Sequence, residues 1–215
     1  MDASKSSVLS FQAVSNETVT PVKRERSLDR LQTLIQIISY KDQGTLQHSN
    51  RVYELTREWA SYMRRRWEWI EMDLEALETA ALLHDVGKIG VLDEVLLKPG
   101  SLTPAERDHL EQHAEIGYQM IRDYPGIQDI AMGVRHHHER WDGKGYPLGL
   151  KEKQIPAFAQ IIAIVDAFDA MTSQRPYRSP LSEVGALKEI EKEAGRQFAP
   201  QYAAQFAQFM RARNQ

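Results

Sequence analysis

The chain has 215 residues, 27 Lys and Arg against 30 Asp and Glu, a formal net charge of -3 and no cysteine. That length supports one ordinary domain with some extra chain, and the balanced charge gives no electrostatic case for a nucleic-acid polymer as partner. The missing cysteines exclude a disulfide framework, a zinc ribbon and a thiol nucleophile.

No apolar run approaches the ~20 residues of a membrane span, and Met1-Asp2-Ala3-Ser4-Lys5 lacks the apolar core of a signal peptide, so a cytoplasmic protein is expected. Residues 1–26, with Pro21 and the run Lys23-Arg24-Glu25-Arg26, read as a tail or linker, or as the end of a junction to a sensor domain. The folded domain is expected over 27–215. Ser27 can cap a first helix carrying Leu28, Leu31, Leu34, Ile35 and Ile38, which ends near Gly44. In the second, His48, Val52, Leu55, Trp59 and Tyr62 form an inward stripe, and Arg64-Arg65-Arg66 compensates the helix dipole at its end. In the third, Leu74, Leu77, Ala81 and His84 share one face, Asp85 follows at once, and Gly87 and Gly90 break the helix.

Thr103-Pro104-Ala105-Glu106 is a capping box with proline at the first helical position. The helix it opens turns Leu110, His113, Ala114, Gly117 and Ile121 inward, with Gly117 allowing close approach of a neighbour. After Pro125-Gly126, a short helix from about Ile127 delivers Arg135-His136-His137-His138-Glu139-Arg140. Two glycines and a proline in Trp141-Asp142-Gly143-Lys144-Gly145-Tyr146-Pro147 demand a compact loop, with Tyr146 beside the histidines. Ile155 to Met171 is strongly apolar, yet Asp166 and Asp169 interrupt it, and Asp166 points inward without an evident partner. Arg175 and Arg178 follow. Terminal helices from about Ser182 and Pro200 close the fold with Val184, Leu187, Ile190, Tyr202, Phe206 and Phe209. No segment reads as a strand, so the expected fold is an all-α, single helical bundle.

Taken alone, His48 or His84 is most simply a satisfied core histidine. Together, histidines and aspartates on four helices and a fifth segment are hard to satisfy by mutual hydrogen bonds, and an unpaired buried carboxylate is costly. Imidazole and carboxylate are good ligands for Fe, Mn or Zn. Seven candidates (His48, His84, Asp85, His113, His137, His138 and Asp166) are too many for one ion and fit two ions that share Asp85. The net positive charge left over suits an anionic phosphate ester.

His84-Asp85-Val86-Gly87-Lys88 and His137-His138-Glu139-Arg140-Trp141-Asp142-Gly143-Lys144-Gly145-Tyr146-Pro147 resemble the two signature motifs of the HD-GYP family, a branch of the HD-domain metal-dependent phosphohydrolases. The similarity spans about residues 28–210 and includes His48-Ser49-Asn50-Arg51-Val52 and Asp166-Ala167-Phe168-Asp169-Ala170. The resemblance implies an HD-type helical bundle with a GYP loop beside a buried centre of two divalent ions, Fe or Mn, that hydrolyses cyclic di-GMP to linear pGpG, with a second cut to GMP left open. His48, His84, Asp85 and Asp166 match the ligands of one ion, with Asp85 bridging to a second held by His113, His137 and His138. Lys88, Arg175 and Arg178 match phosphate-contacting positions, and Tyr146 the tyrosine beside the nucleotide. His109 and His136 match no ligand position.

Two departures stand out. Gly44 occupies the place of a glutamate that holds a third metal in some members, and Ala199 replaces a usual aspartate ahead of the last helix. Other readings are hydrolysis of a different cyclic dinucleotide, and a non-catalytic module that senses cyclic di-GMP or docks a diguanylate cyclase (GGDEF) domain through the GYP loop. The sequence leaves the oligomeric state open, a dimer being one option.

Overall fold

In the computed structural model, which describes residues 31, 33–66, 68–69, 71–174 and 179–214, Asp42 separates the first two helices. α1 (33–41) ends before it, and α2 (Gln43–Arg65) starts after it. The Asp42 carboxylate accepts the backbone N–H groups of Gly44 and Thr45 at 2.9 and 3.1 Å and the Thr45 hydroxyl at 2.6 Å. It thus satisfies donors that the first turn of any helix leaves open. Gly44 therefore lies inside α2, whereas the sequence pattern placed it at the end of the preceding helix. The tail, the Ser27 cap and Leu28 lie outside the described residues.

α3 (Leu74–Leu83) is capped by Asp73, which accepts the Ala76 N–H, and runs into a 3₁₀ turn, Val86–Gly90. A short α4 (Asp93–Leu96) leads to α5 (Pro104–Glu111), where the capping box forms as expected between Thr103 and Glu106. α5 and α6 (His113–Ile121) were expected as one helix, but they part at Gln112. The break falls where the His113 ring takes the carbonyl of Leu110 at 2.7 Å, so a side chain competes with the helix ladder. α7 (Gln128–His136), α8 (Ala157–Thr172), α9 (Glu183–Lys192) and α10 (Pro200–Arg213) follow, the last with Ala199 at its N-cap and no side-chain bond there.

α2 packs on α3 and α8, α3 also on α7, and α7 on α6 and α8, while α9 and α10 cover the far side of α8. Between them lie Trp59, Met63, Leu77, Leu83, Ile161 and Phe206, all fully buried. The rings of Trp69 and Phe206 each sit 5.0 Å from that of Trp59. The described residues contain one isolated bridge, between Ala194 and Phe198, and no strand. The fold is all-α.

Two expectations shift. On α2 the fully buried face runs through Ser49, Val52, Thr56, Trp59, Ala60 and Met63. Leu55 and Tyr62 lie at its margin, because α3 and α8 cover α2 from two sides. Val184 is 63% exposed and not part of the core; α9 buries Ala186 and Ile190 instead.

The close approach expected at Gly117 is seen from both sides. A Cβ there would meet Val134 at 2.9 Å, and a Cβ on Gly87 would lie 1.9 Å from the His113 carbonyl oxygen. The turn after Asp85 is thereby pressed against the helix that carries His113. Gly87→Ala should lower the unfolding free energy by about 1–3 kcal/mol, as overpacking a rigid contact does. A urea midpoint equal to that of the wild type would contradict this packing.

Candidate metal centre

The helix ends set the site. α3 stops at Leu83, so His84 (φ -52, ψ -37) and Asp85 (φ -96, ψ 5) project together from its C-terminus, at the entry to the 3₁₀ turn. Three rings are held in one way. Nδ1 of His84, His113 and His137 donates at 2.7 Å to the carbonyl three residues earlier, those of Ala81, Leu110 and Val134. A carbonyl only accepts, so in each ring Nδ1 carries a proton, and in the neutral rings of His113 and His137 Nε2 then presents a lone pair. His48 is held differently: its Nδ1 is 2.7 Å from Asp169 Oδ2, and its Nε2 is 3.0 Å from Asp166 Oδ1.

All seven ligand candidates converge. Ligand atoms of Asp85, His113, His137 and His138 lie within 4.8 Å of one another, as do those of His48, His84 and Asp166. Asp85, 2% exposed, stands between the two groups. Its Oδ2 is 3.4 Å from His84 Nε2 and 3.9 Å from His48 Nε2, while its Oδ1 is 3.4 Å from His113 Nε2.

The protonation pattern fits cations. Nε2 of His113 faces Nε2 of His137 at 3.4 Å. Both Nδ1 protons are committed to carbonyls, so two acceptors confront each other, an arrangement that a shared cation satisfies. Burial, with neighbouring rings adding to it, lowers the pKa of His113 and of His137, and that of His138 falls to about 3. All three are thus neutral at pH 7, the state in which an imidazole can ligate a metal. Burial would raise the Asp85 carboxyl, but Lys88 and His84 hold it well below the usual range. Burial also opposes charge on His48, yet its hydrogen bonds to Asp166 and Asp169 outweigh this and lift its pKa to about 9.

A cleft of about 560 Å³ opens over these groups, lined among others by Thr45, Lys88, Leu96, Leu110, Tyr146 and Asp166. Lys88 reaches Asp85 Oδ2 at 2.5 Å. Tyr146 stacks on His138, with ring centroids 4.7 Å apart and planes 31° apart. Arg175 and Arg178 lie outside the described residues; Ser173 and Gln174, just before them, line the cleft. His136 is a core residue at 1% exposure, and His109 accepts the Leu92 N–H at 3.2 Å. A larger hollow of about 730 Å³, between Trp69, Phe158 and Tyr202, lies toward the other end of α2 and is lined by no histidine.

Sequence reasoning passed over three supporting residues. Glu139, 3% exposed, accepts the N–H groups of Leu148 and Leu150 at 2.8 and 3.0 Å and so folds the loop back onto the histidines. Gly145 permits this, since a Cβ there would lie 2.4 Å from the His138 carbonyl oxygen. Asp169 and Arg51 are the others. Arg51 donates through Nε and Nη2 to the two oxygens of Asp169 at 2.7 and 2.9 Å. The signal was available as two i, i+3 pairs, His48 with Arg51 and Asp166 with Asp169.

A profile described as HD domain matches residues 32–202. A protein of Thermotoga maritima named cyclic di-GMP phosphodiesterase is 41% identical over 178 residues, 82% of this chain and 47% of that protein. A 3'3'-cGAMP-specific phosphodiesterase of Vibrio cholerae is 32% identical over 182 residues, 82% of this chain and 34% of that protein. This chain thus spans about half or less of the curated relatives it matches. The HD domain of the L. monocytogenes phosphodiesterase PgpH superposes with a TM-score of 0.59 at 16% identity, covering 84% of this chain and 96% of that one.

The Glu139 contacts carry a prediction. Glu139→Ala should leave two loop amides without an acceptor, each worth about 1 kcal/mol or more. Hydrogen exchange at Leu148 and Leu150 should speed up roughly tenfold on that scale, while amides of α2 and α8 hold. Unchanged exchange at both positions would contradict the anchoring.

Proposed function

The chain belongs to the HD-domain family of metal-dependent hydrolases, and on that footing we propose that it is a phosphodiesterase that opens cyclic di-GMP to linear pGpG. The observation that carries this reading is Asp85, a buried carboxylate with one oxygen toward each of two groups of ligand atoms. His48, His84 and Asp166 with Asp85 would hold one divalent ion, and His113, His137 and His138 with Asp85 a second, iron or manganese by ligand type. Bound there, the pair supplies Lewis-acid polarisation of the phosphoryl oxygens and an acidified water.

The protein's own groups do the rest. Lys88 sits at the floor of the cleft on Asp85 and can turn to a phosphate oxygen, offsetting charge as it develops. Arg175 and Arg178 are assigned the second, non-reacting phosphate. Tyr146, braced against His138, offers a face to a nucleobase. Gly44 gives no ligand for a third ion, and the nearby Asp42 is occupied as the N-cap of α2. We therefore read a site of two ions, from which pGpG leaves faster than it is cut again. Docking of a diguanylate cyclase domain on the loop around Tyr146, a dimeric state and a cytoplasmic location belong to the same reading.

Resemblance to a 3'3'-cGAMP-specific enzyme supports a second reading in which a mixed ring is the preferred substrate. Anaerobically loaded protein should turn over cyclic di-GMP faster than 3'3'-cGAMP, with pGpG accumulating before GMP on anion-exchange chromatography. Preference for the mixed ring would favour the second reading, and GMP from the first turnovers would overturn the link between two ions and product.

Three substitutions test the roles. Asp85→Asn keeps the shape and removes the shared charge, so turnover should fall to background; near-normal rates would end the metal mechanism. Lys88→Ala should lower kcat, and Arg178→Ala should mainly raise KM, because the second loses uniform binding. Identical kinetic signatures would refute that division.

A further inference from the structure

His48 stands apart from the other rings of the centre in what holds it. Backbone carbonyls fix His84, His113 and His137, and no substitution reaches those acceptors. The acceptor for His48 is the Asp169 carboxylate, 6% exposed, and Arg51 grips both oxygens of that carboxylate. The arrangement is a product of register. Arg51 lies one turn after His48 on α2, and Asp169 lies one turn after Asp166 on α8. Where the two helices face each other, each presents a ligand candidate and then its support.

We propose that Asp169 and Arg51 are a positioning pair that orients His48 and sets the metal affinity of one half of the centre, the half built from His48, His84 and Asp166. The inference rests on the metal-centre reading given above. Neither residue touches the reacting atoms in this role.

The physical case has three parts. A carboxylate accepting from Nδ1 makes Nε2 a better donor to a metal than a carbonyl does, and fixes the plane of the ring. Asp169 is itself a carboxylate close to the centre, and without a partner it could swing toward a cation; the two-pronged bond from Arg51 fixes its rotamer and matches its charge. Arg51 has a side chain 47% exposed on the cleft wall, so it can be changed without opening the core. The two halves of the centre are therefore unequal. One contains a ring tuned by a charged pair of side chains, and the other contains rings, His113 and His137, tuned by the main chain.

Calorimetric titration of the metal-free full chain with Mn(II) tests this, with thermal unfolding of the same samples as a check on the fold. Wild type should take two equivalents. Asp169→Asn should weaken one of them about 10- to 100-fold, the usual effect of losing such support, and leave the other within about twofold. Arg51→Ala should weaken the same equivalent by less, and Arg51→Lys should recover part of that loss. Equal weakening of both equivalents, or of neither, would overturn the proposal. If wild type takes one equivalent, the two-ion reading fails, and the positioning pair then stands or falls on whether that equivalent shifts in Asp169→Asn. Should Asp169→Asn not fold, Arg51→Ala decides by the same criterion.

Discussion

The structure depends on how one buried carboxylate is satisfied. Asp85 sits at the end of α3 with its two oxygens turned to different neighbours, His84 and His48 on one side and His113 on the other. Removing such a charge from water is costly unless cations or strong donors surround it. Lys88 supplies one cation. Around it, the neutral rings of His113 and His137 turn lone pairs to each other, while His48 is drawn to the carboxylates of Asp85, Asp166 and Asp169. A core of this kind is self-consistent when divalent cations sit among the ligands, and it then holds a concentrated positive charge beneath an open cleft. An anionic phosphodiester is the chemistry that suits it.

The fold supplies the precision by economical means. Each of three candidate ligand histidines lies at or near a helix terminus or break, where a carbonyl three residues back accepts from its Nδ1. His84 ends α3, His113 opens α6 at the break after α5, and His137 follows α7. Helix ends have carbonyls with open acceptor capacity, and these orient the rings. The close contact of Gly87 with His113 and Gly117 then locks two of these segments together. The loop from Trp141 to Pro147 is held from the other side by Glu139 and by Asp142, which is bonded to Arg140 and to the Lys144 N–H.

Much of this was legible in the sequence, for reasons that can be named. His84 extends the stripe of Leu74, Leu77 and Ala81, and His113 that of Leu110 and Ala114, so periodicity alone pointed these rings inward. Capping chemistry placed the start of α5 correctly because Thr103 and Glu106 act locally. What escaped was set by contacts between elements. Asp169 was seen as an interruption of α8, and its tie to His48 and Arg51 exists only once α2 and α8 face each other. Val184 kept helical spacing but lies where no neighbour covers α9. The break at Gln112 arises because His113 turns back onto Leu110, a competition that apolar spacing does not encode. Asp42 ended the first helix through its side chain, where Gly44 looked the stronger breaker.

The most direct test of the account is anomalous diffraction from a crystal of the manganese-loaded protein, recorded on either side of the manganese edge. The account predicts two peaks about 4 Å apart, one on each side of the Asp85 carboxylate, with His48, His84 and Asp166 around the first and His113, His137 and His138 around the second. One peak, or a pair that Asp85 does not bridge, would contradict it.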